Sequence, residues 1–487
     1  MAVKFSDDGG FFAPMRFEAQ IDDCIVEGEI PQDICGTFYR SAADRRFPPL
    51  YANDTPYNSD GAVDMFRIYA GNVDFRSRYV RTPRYNAERE AHKALFGLYR
   101  NRNTSDPSVR NVSHNTANTT PMVHGGLLYC MKEESPPMAV NPHTLETIGE
   151  WDFHGRMTAK SFTAHPKQDP VTGEMIAFSY EATGDCSDDL AVFIFDREGV
   201  LTREIWFKTP VVSMMHDMAI TDKHVILPTT AMVTSPERLK NGELHWAYDR
   251  NVPAYVAIIP RDGDAGDVRW FKGNTNQHML VHTTNARTEG NKVILDAPVG
   301  TGNFHSYFPN VDGSRSNPAE FVTTIRRWTF DLDSDADTWE EEILFDGIKV
   351  TTFVRMDDRF LTKPFRYSFM LMNDPDLKVA AKFADTLSVR VSNAIYRFDH
   401  ETGTIDRFHA GDAHGMSEPQ FIPRSATAAE GDGYIIAVAN NFREMKSEVV
   451  IVDAQDFAAG AIARIKLPFR LHMQVHGYWA PAEFLPF

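Results

Sequence analysis

The chain is organised around short apolar runs, each closed by a turn. Ala191 to Gly199 reads AVFIFDREG, Tyr255 to Gly263 reads YVAIIPRDG, and Arg327 to Asp335 reads RWTFDLDSD. The same pattern recurs in AIYRFDHETG (Ala394 to Gly403), EVVIVDAQD (Glu448 to Asp456) and MAVNPHTLET (Met138 to Thr147). Runs rich in Val, Ile, Phe and Tyr that end in Asp, Asn, Pro or Gly predict strands with tight turns. Successive turns lie roughly 55 to 70 residues apart, too far for one hairpin and suited to a four-stranded blade with long loops. Helical periodicity is weak. The best helix candidate is Asn86 to Tyr99 (NAEREAHKALFGLY), and a weaker one is Asp374 to Ala384, with an Asp cap and Pro375 at its first position. Six blade ends, plus a seventh blade closed by the two chain termini, predict an all-β fold. It is a seven-bladed β-propeller forming one domain over residues 1–487. The pattern alone also permits a β-sandwich or a two-domain β protein.

Composition narrows the partners. The 487 residues carry 50 Lys plus Arg against 67 Asp plus Glu, a net charge of −17. That balance disfavours nucleic acid and anionic membrane surfaces as partners. With 43% hydrophobic residues and 34 Phe, the chain has material for a large aromatic-rich interior. The N-terminal MAVKFSDDGG lacks an apolar signal region, and an apolar run such as YIIAVAN (Tyr434 to Asn440) has only strand length. Cys24, Cys35, Cys130 and Cys186 are scattered without C-x-x-C spacing, so neither a thiolate metal site nor a disulfide framework is indicated. Together these features predict a cytoplasmic protein that is neither secreted nor membrane-inserted.

Of 17 histidines, four stand in distinctive words: His165 in FTAHPK, His216 in MMHDMAIT, His282 in HTTNAR and His476 in VHGYW. The gaps of 51, 66 and 194 residues approximate one, one and three blades. One histidine per blade at similar depth would converge on a propeller axis, where neutral imidazoles bind a first-row metal. Spacing alone leaves the alternative open that these are ordinary loop or core histidines.

The words themselves carry more. MMHDMAIT, HTTNAR and HGYW occur with GEIPQDICGTFYR (Gly28 to Arg40), YNSDGAVDMFRI (Tyr57 to Ile68) and SEPQFIPR (Ser417 to Arg424). Together, and in this order, they resemble the carotenoid cleavage oxygenase family from about residue 26 to the C-terminus. The resemblance implies a seven-bladed propeller with one Fe(II) per chain on its axis, held by His165, His216, His282 and His476 under a dome of loops. It implies carboxylates behind the imidazoles, matched by Glu133 in YCMKEES and Glu418 in MSEPQF. A glutamate on its own is usually a solvated surface charge. A third family glutamate falls near Thr352, which is a departure from the pattern.

Within that family the chain resembles the bacterial lignostilbene dioxygenases, which cleave the central double bond of 4-hydroxystilbenes to aromatic aldehydes such as vanillin. It has no apolar helical stretch of the kind that docks carotenoid cleavers on membranes. In the lignostilbene branch a Tyr and a Lys bind the substrate's 4-hydroxyl, and an aromatic residue flanks a ring. Tyr99, Lys132 and Tyr57 match these positions, the last being commonly Phe. Lys132 and Tyr99 then favour the phenolate, which pushes electron density to the olefin attacked by activated oxygen. Taken alone, Lys132 reads equally well as an exposed strand-face lysine. Strict strand alternation sends Lys132 and Glu133 to opposite faces, so a strand end or bulge is needed to bring both to one cavity. The resemblance also implies a homodimer, with a small aromatic alkene and O2 as the molecules bound. The alternatives are an apocarotenoid or 4-vinylphenol (isoeugenol-type) cleaver with the same metal site, and a metal-free propeller serving as a scaffold.

Overall fold

The computed structural model describes residues 13–485 except 276–278, 304, 318–319, 347–349, 379 and 381–391. The predicted turn-closed runs are strands. AVFIF lies in Asp189–Phe195, YVAIIP in Pro253–Pro260, RWTFD in Val322–Asp331, AIYRFD in Ala394–Asp399 and EVVIVD in Lys446–Asp453. These five belong to five of the seven antiparallel sheets arranged as the blades of a propeller.

Blade 1 runs outward from Met473–Pro481 through Gly36–Asp44, Asp60–Tyr69 and Asn72–Tyr79 to Ala19–Ile21. Blades 2, 3 and 4 begin with the inner strands Thr120–His124, Lys167–Gln168 and Ala219–Ile220. In blade 5 two short inner strands, Met279–Leu280 and Asn285–Glu289, share the partner Lys292–Thr301. Blade 6 starts at Val350–Met356. Blade 7 again has a divided inner edge, His414–Met416 and Gln420–Pro423, both paired with Gly433–Asn441. Its outermost strand is the N-terminal Ile25–Gly28, paired with Ala461–Lys466. The expectation that the termini close the ring is met from both ends. N-terminal segments add outer strands to blades 7 and 1, and the C-terminal strand is the inner strand of blade 1.

The core lies between blades. Ile176, Phe178 and Val192 of blade 3 pack on Ile220, Val225 and Ile259 of blade 4. Phe38, Phe66 and Phe75 of blade 1 pack on Ile436, Val438 and Ile451 of blade 7. A blade has neighbours on both faces, so its middle strands are apolar at successive positions, as in the buried YIIAVA of Tyr434 to Ala439. Each Val, Ile or Phe so buried contributes about 1.5–3 kcal/mol.

The helix forecast over 86–99 needs correction. The helix is Pro83–Ala91, capped by the Thr82 hydroxyl accepting from the Tyr85 amide, with Pro83 in its first turn. It stops because His92 turns left-handed at φ 52°. Residues Leu95 to Tyr99 then follow an irregular path into the interior. Of the second candidate helix, Asp374 to Lys378 and Ala380 form turns and extended chain, and the other positions lie outside the described residues. Among the described residues no helix is long and apolar enough to cross a membrane.

Candidate metal centre

The four histidines sit where inner strands are short or interrupted. His165 lies two residues before the two-residue inner strand of blade 3, and His216 three residues before that of blade 4. His282 falls between the two inner pieces of blade 5, and His476 lies on the inner strand of blade 1. Their ring nitrogens come together, with one nitrogen from each within 4.8 Å of all the others. His216 Nε2 is 3.1 Å from Nε2 of both His165 and His282. The His165 ring centroid lies 4.5 Å from that of His476. His165, His282 and His476 are buried and His216 is partly so.

Carboxylates fix two of the rings. Glu133 Oε1 pairs with His216 Nδ1, and Glu418 Oε1 accepts from His476 Nδ1 at 3.0 Å. An Nδ1–H held this way leaves Nε2 as a lone pair facing the centre. Burial, with His476, His216 and His282 close by, holds His165 well below its ordinary value and therefore neutral. Several imidazole lone pairs aimed at one point fit a transition-metal cation of intermediate softness, and iron is one of these.

The two glutamates are anchored differently. Tyr180 donates to Glu133 Oε2 at 3.0 Å, and Arg100 Nη1 donates to the Tyr180 oxygen at 2.8 Å. Glu418 lies between two arginines, with Arg40 Nη1 at 3.6 Å and Arg355 Nε at 3.2 Å, and accepts from the Gly477 amide at 2.8 Å. Burial pushes both carboxyls up, but the surrounding cations and histidines hold both well below the usual carboxylate range. Glycine is needed at position 477, since a Cβ there would lie 2.5 Å from Arg40 Nη1. The Thr352 side chain lies outside the described residues. Its neighbour Phe353 sets its ring centroid 5.2 Å from His282 and 5.0 Å from His476.

Asp217 also ties the ligand loops together. Its Oδ1 pairs with Lys167 Nζ at 2.7 Å, and its Oδ2 accepts from the Thr283 amide at 2.8 Å. Each of these residues directly follows, or lies two residues past, a histidine of the cluster.

Lys132, Tyr99 and Tyr57 are brought together beside this cluster. The blade 2 strand Leu127–Met131 ends one residue before Lys132, and a turn follows, so alternation does not force Lys132 and Glu133 apart. Lys132 is buried, with Nζ 5.0 Å from the Tyr99 ring centroid, 3.4 Å from the Tyr57 carbonyl and 3.5 Å from Thr119 Oγ1. Burial draws its ammonium down, against the pull of Glu134 and Glu133. Burial pushes both phenols up, so Tyr57 and Tyr99 stay protonated. Sequence reasoning missed the other wall. Phe308 lies 5.9 Å from Tyr99 and 6.5 Å from Tyr57, and Tyr307 lies 5.5 Å from Tyr57. His305, driven down to about 4 by burial and by His216, completes that wall 6.3 Å from Tyr57. The aromatic density of NFHSYFP was the available signal.

Residues 12–481 match the family described as retinal pigment epithelial membrane protein. The chain is 39% identical to lignostilbene-alpha,beta-dioxygenase isozyme III of Sphingomonas paucimobilis over 98% of its length and 97% of that protein. It is 38% identical to isoeugenol monooxygenase of Pseudomonas nitroreducens, over 97% of each chain. The crystal structure of Pseudomonas brassicacearum lignostilbene dioxygenase superimposes with a TM-score of 0.94 at 40% identity, covering 99% of this chain and 100% of the other. A propeller closed by both termini, four histidines converging on its axis and a match along nearly the whole sequence make this chain a member of the carotenoid cleavage oxygenase family.

Proposed function

We propose that the protein is an Fe(II) dioxygenase that cleaves the central double bond of 4-hydroxystilbenes with O2, giving two aromatic aldehydes. One observation carries this reading. A buried lysine stacked on a tyrosine is followed in sequence by the carboxylate that supports a histidine of the cluster. Recognition of a phenol and support of a metal are therefore assigned to consecutive residues, Lys132 and Glu133. The likeness to a lignostilbene dioxygenase and an isoeugenol monooxygenase supports the same class of chemistry.

His165, His216, His282 and His476 would hold one Fe(II) per chain, and the ion, when bound, supplies the capture and activation of O2. The chain's own residues do the rest. Lys132 and Tyr99 hold the 4-hydroxyl, and a charge-assisted contact to the ammonium favours its phenolate. Tyr57 and Phe308 flank the ring and keep it aligned. The phenolate feeds density through the conjugated ring to the olefin. Each olefinic carbon then gains one oxygen atom as the carbon–carbon bond breaks. Free thiols at Cys24, Cys35, Cys130 and Cys186 support a reducing compartment. We read residues 1–487 as one domain.

Oxygen uptake with matched substrates tests the reading. The wild type should turn over a 4-hydroxystilbene and leave its 4-methoxy ether almost untouched. Lys132→Met keeps the stem and deletes the charge. It should lose about ten- to a hundredfold in rate, the equivalent of roughly 1.5–3 kcal/mol, with metal content intact. Equal rates on phenol and ether would overturn the proposal. Faster turnover of isoeugenol than of any stilbene would reassign the substrate to 4-vinylphenols, the reading favoured by the isoeugenol relative. Preference for an apocarotenal would remove the phenol from the mechanism.

A further inference from the structure

Glu134 follows Lys132 and Glu133 in the same turn and has no place in the roles described so far. Its Oε2 is buried, and among the described residues no donor reaches it. It lines a cavity of about 280 Å³ that also touches Arg100 and Glu181 at its inner end and Lys160, Thr183 and Asp185 at its mouth. Arg100 and Glu181 are buried, whereas the residues at the mouth are exposed, so the cavity leads from Glu134 and Arg100 to solvent.

The charge balance around Lys132 gives Glu134 a task. The buried groups near Glu134 are the cations Lys132 and Arg100 and the carboxylates Glu133 and Glu181, with the Tyr99 phenol beside them. With Glu134 ionised, the group carries one negative charge in excess. A bound phenolate would add one more negative charge to these poorly solvated groups, with Arg84 and a metal held by His216 lying outside the count. Glu133 and Glu181 are locked in hydrogen bonds to histidines. Glu134 is the neighbouring carboxylate with an unengaged oxygen.

We propose that Glu134 takes the proton given up by the substrate's 4-hydroxyl and holds it while the phenolate is bound. The phenol O–H bond breaks, its electron pair stays on oxygen, and an O–H bond forms on the Glu134 carboxylate. Lys132 keeps its charge beside the new phenolate, and the total charge of the site does not change. Burial raises the Glu134 carboxyl toward the range where it accepts a proton, and Lys132 and Arg100 limit that rise. This rests on the phenolic reading of the site.

The test uses the iron-loaded protein without oxygen and 4-hydroxy-4′-nitrostilbene as probe, whose phenolate absorbs at longer wavelength than the phenol. Absorbance reports the ionisation of the bound probe, and an indicator dye in weak buffer reports protons released on binding. Wild type should bind the phenolate with little net proton release at neutral pH. Glu134→Gln should bind the neutral phenol, or the phenolate with about one proton released, as mass balance then requires. Glu134→Asp, which keeps a carboxylate, should restore wild-type behaviour. Glu134→Gln matching wild type in both signals would overturn the proposal, and Lys132 would then be the acceptor if Lys132→Met alone changed them. A wild type that binds only neutral phenol would overturn the phenolate reading and this one together.

Discussion

Asp217 holds Thr283 twice, accepting from its amide at 2.8 Å and from its hydroxyl at 3.1 Å through the same carboxylate oxygen. The other oxygen takes Lys167. The histidine loops of blades 3, 4 and 5 are therefore spaced by one side chain rather than by the metal alone. Asp217→Asn turns an amide against the lysine and weakens both sides of this clamp. Metal retained after dialysis should fall about tenfold, the lower end of the range for groups behind the ligands. Metal analysis and a melting curve on the same samples check this, and full retention in the variant would contradict it.

Each histidine of the cluster should be individually indispensable. Replacing His165, His216, His282 or His476 by Ala removes one of four donors and should abolish both bound iron and turnover, while far-ultraviolet circular dichroism keeps its β signature. Normal activity in all four single variants would show that the cluster does not hold the catalytic metal.

Glu133→Gln and Glu418→Gln should both weaken metal retention by about ten- to a hundredfold, but they should differ in stability. Glu418 neutralises Arg40, which is wholly buried, and the partly buried Arg355. Stranding a buried charge costs about 3–5 kcal/mol. Glu133 leans on a neutral tyrosine, and Arg100 keeps Glu181 as a partner. Thermal melting should drop clearly for Glu418→Gln and little for Glu133→Gln. Equal melting temperatures would mean that the arginines find other partners.

Acid should destabilise the fold well before the carboxylates titrate. Burial holds His114 at about 3 and His400 at about 4, so both are neutral in the folded chain. Unfolded histidine takes up its proton near 6.5. Their contribution is present in full above that pH and is lost as pH falls through 6.5 toward 3. One unit corresponds to about 1.4 kcal/mol, so His114 alone contributes on the order of a few kcal/mol. Melting temperatures between pH 7.5 and 4.5 measure the slope. His114→Phe, which fits against Phe96, should flatten it. A wild-type curve without slope would be inconsistent with these buried neutral rings.

The blades were legible because a strand buried on both faces writes a continuous apolar run, and because its turn needs Asp, Asn, Gly or Pro. The four histidines and two glutamates were legible as words of a family, not from spacing. What could not be read came from loops that meet only in space. Tyr307 and Phe308 lie 209 to 251 residues from the tyrosines they face, and no local period links them. Asp217 stood in plain view next to His216, but its partners Lys167 and Thr283 are in other blades. The helix at 83–91 was misplaced at its end because a left-handed histidine ended it, where no glycine signalled the stop.

The strand that closes the ring also carries His476, so the order of synthesis constrains the metal. During translation His165, His216 and His282 emerge 194 residues or more before the fourth nitrogen exists. A nascent chain can present at most three of the donors, in a ring that still lacks its innermost strand. Iron should therefore be acquired as a late event, once His476 has emerged. In a cell-free translation programmed with stalled messages, chains halted before residue 473 should fail to retain iron, and the released full-length chain should hold it.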